Sequence, residues 1–262
     1  CIRDSARAAR MPTATFTRMR LQEIWRYPVK SIGGEQLSEA EVTGTGISGD
    51  RGWGVFDAET GTVLTARRTP ELLFAGARVV DGELAITLPD GGEIGADGHQ
   101  AMSAWLGREV EIRAAAGSEG GMYENPMNAE EETDWVRWQG PSEAWHDSGR
   151  TRLSLVSASS LGGWDIRRFR TNLLTDGEGE NGFVDGVVRV GAIEFDVTKR
   201  VTRCVMVSRP QPGLDRDLDV LRTVNRERDG TVSIALMPRA GGRIAVGDVV
   251  NTKRGQRSSA VG

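Results

Sequence analysis

The chain has 262 residues, of which 38% are hydrophobic and 27% are charged, as in globular rather than disordered proteins. Its 33 basic and 37 acidic residues give a net charge of −4, which argues against binding to nucleic acid or to an anionic membrane. The 2 cysteines are too few for a disulfide framework, a zinc knuckle or an iron–sulfur cluster, and they favour the reducing cytoplasm. Since no apolar run reaches about 20 residues, we expect no membrane span.

The first residues, CIRDSARAARMPTATF, lack the apolar core of a signal peptide. We expect residues 1–18 to form a disordered or artificial tail, with Met11 as a candidate initiator. Lipidation of Cys1 is the alternative interpretation of this start. We expect a second tail at residues 256–262.

Short alternating segments separated by glycines predict many strands after this tail. Residues 53–66 fit two strands joined by a turn. Residues 77–88 fit a hairpin whose Asp81-Gly82 pair suits a type I′ turn, since both positions tolerate positive φ.

One helix is predicted in this half of the chain, over HQAMSAWL. Asp97 is placed to cap it, Ala101, Ala104 and Trp105 share a face, and Gly107 is placed to end it. A strand over residues 109–114 follows. Residues 19–115 are therefore predicted to form a β-rich domain with one helix.

Residues 116–150 are first acidic and then tryptophan-rich, with little periodicity. This composition predicts a linker or long loop. Its tryptophans either pack the loop between two domains or line a substrate entrance.

The segment from residue 151 to residue 255 is predicted to be a second, strand-rich domain. Strands are predicted in RTRLSLV, RFRTNLL, VVRVGAIEFDV, RVTRCVMV, TVSIALM and GGRIAVGDVV, with Gly191 at a turn or bulge. Many strands, few helices and no βαβ rhythm predict a mainly β fold with a closed or nearly closed barrel.

Several catalytic motifs are missing from the sequence. It contains no phosphate-binding P-loop, no GxGxxG after a strand, no HExxH and no GxSxG. With only His99 and His146, a histidine-rich metal site is excluded. We expect His99 on an exposed helix and interpret His146 as a hydrogen-bonded structural residue, although it is the one histidine near a candidate site.

The candidate chemistry lies in basic and hydroxyl residues near predicted strand ends. These occur in YPVKS, TARR, RRFRTN and TKRVTRC, the last of which contains Cys204. Cys204 is either a small packing residue or a functional thiol. Fixed cations favour a thiolate, and the same cations would hold a phosphorylated, anionic cofactor.

These segments resemble the MOSC family, and in particular its members with an N-terminal MOSC β-barrel domain, such as the mitochondrial amidoxime-reducing component. The resembling segments include LQEIWRYPVKSIGGEQL, TARRTPEL, LSLVSASSL, RRFRTNLLTDG, VTRCVMV and GGRIAVGDVV, in family order. The resemblance runs from about residue 20 to residue 250, and the combination of YPVKS, FRxN and RC is fairly specific.

The resemblance implies a molybdenum cofactor, a pterin whose dithiolene gives two sulfurs to the metal and which carries a phosphate. By residue matching, Cys204 is the protein ligand of molybdenum and the catalytic residue. The residues matched to cofactor contacts are Lys30, Ser31, Arg67, Arg170 and Asn172, with Thr202 and Arg203 as further candidates beside the ligand.

The sequence departs from the family pattern on two sides of this site. HDSGRTR stands where relatives often have Asp-Thr-Ser-Pro, so the roles of Asp147, Ser148 and Thr151 are left open. VMVSRPQPG follows the cysteine where many relatives have Thr-Thr-Val-Asp-Pro, so substrate specificity is not transferred.

The function that the resemblance implies is a molybdenum oxidoreductase that reduces N-hydroxylated or N-oxygenated small molecules. Some bacterial relatives carry a ferredoxin-like domain, and its four cysteines are missing here, so we expect no iron–sulfur cluster in this chain and a separate electron-transfer protein as partner. Two alternatives stay open: a sulfur carrier related to cofactor sulfurases, with a persulfide on Cys204, and a non-enzymatic cofactor carrier.

Overall fold

Strands form most of the regular structure in the computed structural model, which describes residues 19–128 and 133–253. In chain order the strands are β1 Met19–Arg26, β2 Glu35–Leu37, β3 Glu39–Thr43, β4 Gly46–Ile47, β5 Trp53–Asp57, β6 Gly76–Val80, β7 Glu83–Thr87, β8 Glu93–Ile94, β9 Val110–Ala114, β10 Met122–Asn128, β11 Thr133–Gln139, β12 Leu153–Ser157, β13 Leu173–Thr175, β14 Val187–Val190, β15 Ile193–Thr202, β16 Thr231–Pro238, β17 Gly242–Ala245 and β18 Val249–Lys253. The α-helices are α1 His99–Leu106, α2 Ala158–Leu161 and α3 Leu218–Arg228, and short 3-10 helices span Pro70–Phe74, Ile166–Arg168, Glu180–Phe183 and Val205–Ser208.

Seven strands close into a barrel in the order β13-β12-β16-β15-β14-β18-β1, and pairing of β13 with β1 completes the ring. Strand β2 extends the sheet from β1, and only the β12–β13 pair is parallel among the barrel pairs. The mainly β fold and the closed barrel predicted from the sequence are confirmed.

The barrel interior is filled by the inward residues of alternating strands. Strand β1 buries Met19, Leu21 and Ile24, and β15 buries Phe195 and Val197 in the same cluster. Full burial of an aliphatic or aromatic side chain stabilises the fold by about 1.5–3 kcal/mol. Because β1 contributes to this cluster, the first described strand belongs to the core of the second half of the chain.

A second apolar cluster lies beside the barrel, formed by residues between Val29 and Ile112. It is covered by the β5–β9 pair, the β6-β7-β8 sheet and α1. The predicted hairpin is present as β6–β7, with Asp81 and Gly82 at φ 52° and 87°.

The predicted helix is present as α1, and Gly107 ends it in the left-handed conformation as predicted. The predicted N-cap residue, Asp97, is wrong. Gly98 occupies the N-cap position, and no side chain makes a capping hydrogen bond there. Of the three residues predicted to share a face, Trp105 packs against the second cluster, whereas Ala101 and Ala104 are exposed and Met102 is the buried residue of the helix. The side chain of Met102 packs in the second cluster, so this methionine anchors α1 to that cluster.

The prediction that residues 116–150 form a linker or long loop is wrong in part. Strands β10 and β11 pair as a hairpin within this stretch. Tyr123 is fully buried and stacks on Trp138, with ring centroids 4.9 Å apart. Trp145 packs in the same small cluster, so these two tryptophans pack against the body of the protein.

The predicted strand over RVTRCVMV is also wrong beyond Thr202. Strand β15 ends there, and Cys204 precedes the 3-10 helix Val205–Ser208. Val207 of this helix packs against Val220 of α3, a helix that the sequence patterns did not predict. The predicted strand over RFRTNLL is reduced to β13, because Ile166–Arg168 turns as a 3-10 helix.

Gly191 lies at φ 57° in the two-residue turn between β14 and β15, which supports the turn rather than the bulge. The predicted tails at residues 1–18 and 256–262 lie outside the described residues. Within the described residues, no helix has the length and apolar content needed to cross a bilayer.

Candidate functional site

A polar cavity of about 470 Å³ lies where the barrel meets the second cluster. Seven segments surround it: the turn after β1, the turn before β5, the segment after β5, strand β10, residues 146–154, the turn before β13, and the end of β15 with the following 3-10 helix. Its lining residues include Lys30, Ser31, Arg51, Arg67, Asn125, Pro126, His146, Asp147, Ser148, Thr151, Arg168, Arg170, Lys199, Thr202, Arg203, Cys204 and Met206. This volume is typical of small-molecule and cofactor sites.

Cys204 contributes a free, half-buried thiol to the cavity wall. Its backbone is extended at the N-cap of the 3-10 helix, and its side chain makes no capping hydrogen bond. The chain changes direction at Cys204, because β15 ends at Thr202 and Val207 packs against residues of α3. The thiol therefore sits at a bend beside the cavity rather than within a sheet.

Arg67 links this thiol to the acidic residue of the cavity. Its guanidinium lies 3.4 Å from Asp147 Oδ1 and donates to Asn125 Oδ1 at 2.6 Å. Burial alone would lower the pKa of Arg67, yet Asp147 and the sulfur of Cys204 raise it. Arg67 is thus a fixed positive charge next to the cysteine.

Lys30 lies beneath the same carboxylate. Its Nζ donates to Asp147 Oδ1 at 2.9 Å and lies 5.0 Å from the ring centroid of Tyr123. Burial lowers the pKa of Lys30 to about 8, which the carboxylate of Asp147 offsets only in part. Partial desolvation in the cavity alone would raise the pKa of Asp147, but Lys30 and Arg67 hold it well below its usual range.

The turn that carries Lys30 and Ser31 is held from two sides. Ser31 adopts φ 65°, and its Oγ accepts a hydrogen bond from the backbone N–H of Ala66 at 3.0 Å. Arg170 donates to the carbonyls of Ile32 at 2.5 Å and Val29 at 3.3 Å. Burial, followed by the nearby Arg51, lowers the pKa of Arg170 to about 10.

Arg203 lines the cavity, but most of its N–H groups bind the protein itself. It donates to the carbonyls of Phe169 at 2.7 Å and Val232 at 2.6 Å, and also to Ser233. Burial lowers the pKa of Arg203 to about 10. Thr202, the last residue of β15, is exposed at the same wall.

Asn172 is the one expected cofactor residue that does not line the cavity. Its Oδ1 accepts from the backbone N–H of Ser154 at 3.1 Å, and its Nδ2 donates to the carbonyl of Trp25 at 3.1 Å. These bonds join the turn before β13 to β12 and β1. The amide is buried between these strands and supports the closure of the barrel by β13 and β1.

The residues that the resemblance left open lie in the cavity. Asp147, Ser148 and Thr151 line it, and Lys199 donates to Ser148 Oγ at 3.1 Å. His146 is buried, as expected for a structural residue, and its Nε2 has no partner among the described residues. Burial, with Arg51, Arg152 and Lys30 around the ring, holds the pKa of His146 well below its usual value.

The patterns missed Arg51 and the β10 residues Asn125 and Pro126 as lining residues, whereas Arg168 belongs to the candidate segment RRFRTN. Arg51 lies in the segment GISGDRGW, whose glycines are typical of a turn, and it adopts φ 51°. The residues of β10 carry no signal because their segment shows little periodicity, which predicts a loop rather than a strand.

The side chains that line the cavity fit an anionic cofactor that itself supplies most of the ligands to a metal. Seven cationic side chains line the cavity, with Asp147 as its only acidic lining residue in the described part of the chain. Across residues 19–128 and 133–253, no group of three or more His, Cys, Asp or Glu residues could hold a metal ion. Cys204 can therefore contribute one soft ligand to a metal whose other ligands come from a cofactor.

Comparison with known families agrees with this arrangement. Residues 18–119 match the MOSC N-terminal beta barrel domain, and residues 130–251 match the MOSC domain. This chain is a MOSC domain protein. MOSC domains are associated with binding of the molybdenum cofactor.

Solved structures resemble this MOSC protein only distantly. The YUAD protein from Bacillus subtilis is 8% identical with a TM-score of 0.44, covering 91% of this chain and 97% of that one. A hypothetical protein is 14% identical with a TM-score of 0.41, covering 94% and 71%, and YiiM from Geobacillus stearothermophilus is 14% identical with a TM-score of 0.34, covering 51% and 73%. No curated protein matches the chain. These likenesses carry no functional argument.

Proposed function

We propose that this chain is a molybdenum-cofactor-dependent oxidoreductase that reduces N-hydroxylated or N-oxygenated small molecules. The observation that carries the proposal is the position of Cys204, a free thiol beside Arg67 in the wall of a cationic cavity. For an amidoxime, two electrons and two protons cleave the N–O bond and yield an amidine and water. When bound, the cofactor supplies this two-electron chemistry.

Two kinds of side chain would bind the cofactor: a thiol would bind its metal, and cations would bind its anionic end. Cys204 Sγ is the protein ligand for the metal, and Arg67 stabilises its negative charge. Lys30 and Lys199 offer ammonium groups to the anionic end of the cofactor, since each ammonium makes a single hydrogen bond within the described residues, to Asp147 and to Ser148 respectively. Arg170 and Ser31 act indirectly by fixing the turn that carries Lys30.

The electrons would come from a separate protein. The sequence has 2 cysteines, and a cluster held by four thiolates cannot form from them. The proposed partner is an iron–sulfur or flavin protein that donates electrons at the open side of the cavity.

The test combines metal analysis with turnover. We expect purified protein, produced in cells that make the cofactor, to hold about one molybdenum per chain and to reduce an amidoxime with an artificial electron donor. We expect Cys204→Ala to lose both, with the thermal midpoint of cofactor-free wild-type protein, because the half-buried thiol makes no capping hydrogen bond. Val205→Ala on the next residue is the matched control.

Bound molybdenum without turnover of any N-oxygenated compound would overturn the oxidoreductase proposal in favour of a cofactor carrier. Full molybdenum content in Cys204→Ala would overturn the ligand assignment.

A further inference from the structure

His146 places a buried imidazole in the wall of the cavity that contains Cys204. The residue is 4% exposed and lines the cavity, yet its Nε2 atom has no hydrogen-bond partner among the described residues. The ring also makes a hydrogen bond to the backbone of Thr45, which belongs to Nδ1 because Nε2 is unpartnered. A buried polar atom without a partner is unfavourable in a folded protein, so a ligand that meets Nε2 would gain from it.

Three cations from separate segments surround this ring: Lys30 after β1, Arg51 before β5 and Arg152 before β12. Burial is the main reason that the pKa of His146 lies well below its usual value, and the three cations lower it further. The neighbouring carboxylate does not offset them at the ring, since Oδ1 of Asp147 accepts from Lys30 at 2.9 Å. The imidazole is therefore neutral at pH 7, and Nε2 carries a lone pair rather than a proton.

The charge beside the ring is also incompletely satisfied. The Nε and Nη1 atoms of Arg152 are buried and have no hydrogen-bond partner in the part of the chain that the structure describes. Two neighbouring side chains thus leave three buried nitrogen atoms unpartnered: two N–H donors of Arg152 and Nε2 of His146. Such a grouping calls for a bound group that accepts hydrogen bonds.

An oxyanion in the cavity would change the state of the imidazole. Its negative charge would compensate the cations and so favour the protonated ring. Protonated Nε2 would then donate a charge-assisted hydrogen bond to an oxygen of the anion. The neutral ring cannot make this bond, because its lone pair and a fully ionised oxygen are both acceptors.

We propose that His146 is an anion-binding residue that takes up one proton when a fully ionised oxyanion, such as sulfate, binds in the cavity. The inference goes beyond the proposed function, because it assigns a binding role to a histidine that the sequence marked as structural. It needs neither a bound metal nor turnover. The proton comes from the solvent and is held between Nε2 and the bound oxygen.

The chain has 2 histidines, so NMR of untagged, cofactor-free protein shows the imidazole signals of His99 and His146 alone. At pH 6 we expect the His146 ring to be neutral without sulfate and charged with saturating sulfate. His99 is the control, because it lies outside the cavity lining and its Nδ1 accepts from the N–H of Ile112 at 2.9 Å. Its signals should not respond to sulfate. The variants His146→Gln and His99→Gln assign the two sets of signals.

Calorimetry at pH 6 in Bis-Tris and in MES counts the protons, because the two buffers differ in ionisation enthalpy. Sulfate carries no proton at this pH, and Lys30 is already protonated since its pKa is about 8. We expect uptake of about one proton per sulfate in wild type and in His99→Gln. Uptake should vanish in His146→Gln, because a glutamine amide can donate to an oxyanion without titrating.

A His146 ring that stays neutral with saturating sulfate would overturn the inference, and so would proton uptake that persists in His146→Gln. Failure of the wild type to bind sulfate would overturn it as well. The proposed function fails separately: wild-type protein that holds molybdenum without turnover would overturn that proposal and leave the role of His146 standing.

Discussion

The Nζ atom of Lys30 lies 2.9 Å from Oδ1 of Asp147, and the guanidinium of Arg67 lies 3.4 Å from the same oxygen. One carboxylate therefore bridges two cations from separate segments at the cavity. It reduces their mutual repulsion when no anion is bound. A bound anion would compete with this carboxylate for the same two cations.

Anion binding should depend on the protonation of Lys30. Because the pKa of Lys30 is lowered to about 8, its charge is lost as the pH rises through that value, so the attraction for anions weakens. We expect the affinity of cofactor-free protein for sulfate, measured by calorimetry, to fall between pH 7 and pH 9. Lys30→Arg should remove this dependence because a guanidinium stays charged. A profile that is equally steep in Lys30→Arg would assign the titration to another group.

Removal of the bridging carboxylate should favour anions. We expect Asp147→Asn to bind sulfate about tenfold more tightly at pH 6, because one negative charge leaves a cationic cavity. The free energy of unfolding should fall by only about 1 kcal/mol, since the side chain of Asp147 is 58% exposed and solvent screens the pair. Weaker sulfate binding in Asp147→Asn would show that the carboxylate organises the cations rather than competes with the ligand.

Arg170 should act through the backbone that it binds. We expect Arg170→Ala to lower the free energy of unfolding by about 2–3 kcal/mol, through loss of its bonds to Ile32 and Val29 and of its contact over Tyr27. Sulfate affinity should fall as well, since the turn carrying Lys30 loses its support. Arg170→Lys should restore neither, because an ammonium cannot span both carbonyls. Recovery of sulfate binding in Arg170→Lys would instead indicate a direct charge contact.

Asn172 should matter for stability and not for anion binding. We expect Asn172→Ala to lower the free energy of unfolding in urea by about 2–3 kcal/mol, because the buried groups of Ser154 and Trp25 lose their partner. Its sulfate affinity should match that of the wild type. Asn225→Ala, at an exposed asparagine of α3, is the control and should change neither quantity. A loss of sulfate affinity with an unchanged free energy of unfolding would instead indicate that Asn172 contacts the bound anion.

Local patterns predicted the parts of the fold that local physics decides. The Asp81-Gly82 turn follows from backbone freedom at two positions, and the end of α1 follows from the left-handed conformation of Gly107. The closed barrel follows from the number of short strands without crossover helices. The residue match placed Lys30, Ser31, Arg67 and the cysteine around one cavity, which periodicity alone could not do.

Contacts distant in sequence explain the failures. VTRCVMV has the composition of a strand, yet Val207 gains more by packing against Val220 in the α3 cluster, so the chain turns after Thr202. The sequence cannot show whether the N–H groups of an arginine bind a ligand or already bind carbonyls of the protein. Arg203 binds carbonyls of Phe169 and Val232, neither of which is adjacent to it in the sequence.

Strand β1 lies between β18 and β13, so the oldest described part of the nascent chain is flanked by segments synthesised much later. Met19 pairs with Val250 across more than two hundred residues of chain. During translation the ring stays open until β18 has left the ribosome, and cavity walls that depend on the ring cannot assemble earlier. Uptake of any cofactor by this site therefore waits until β18 has emerged and paired with β1.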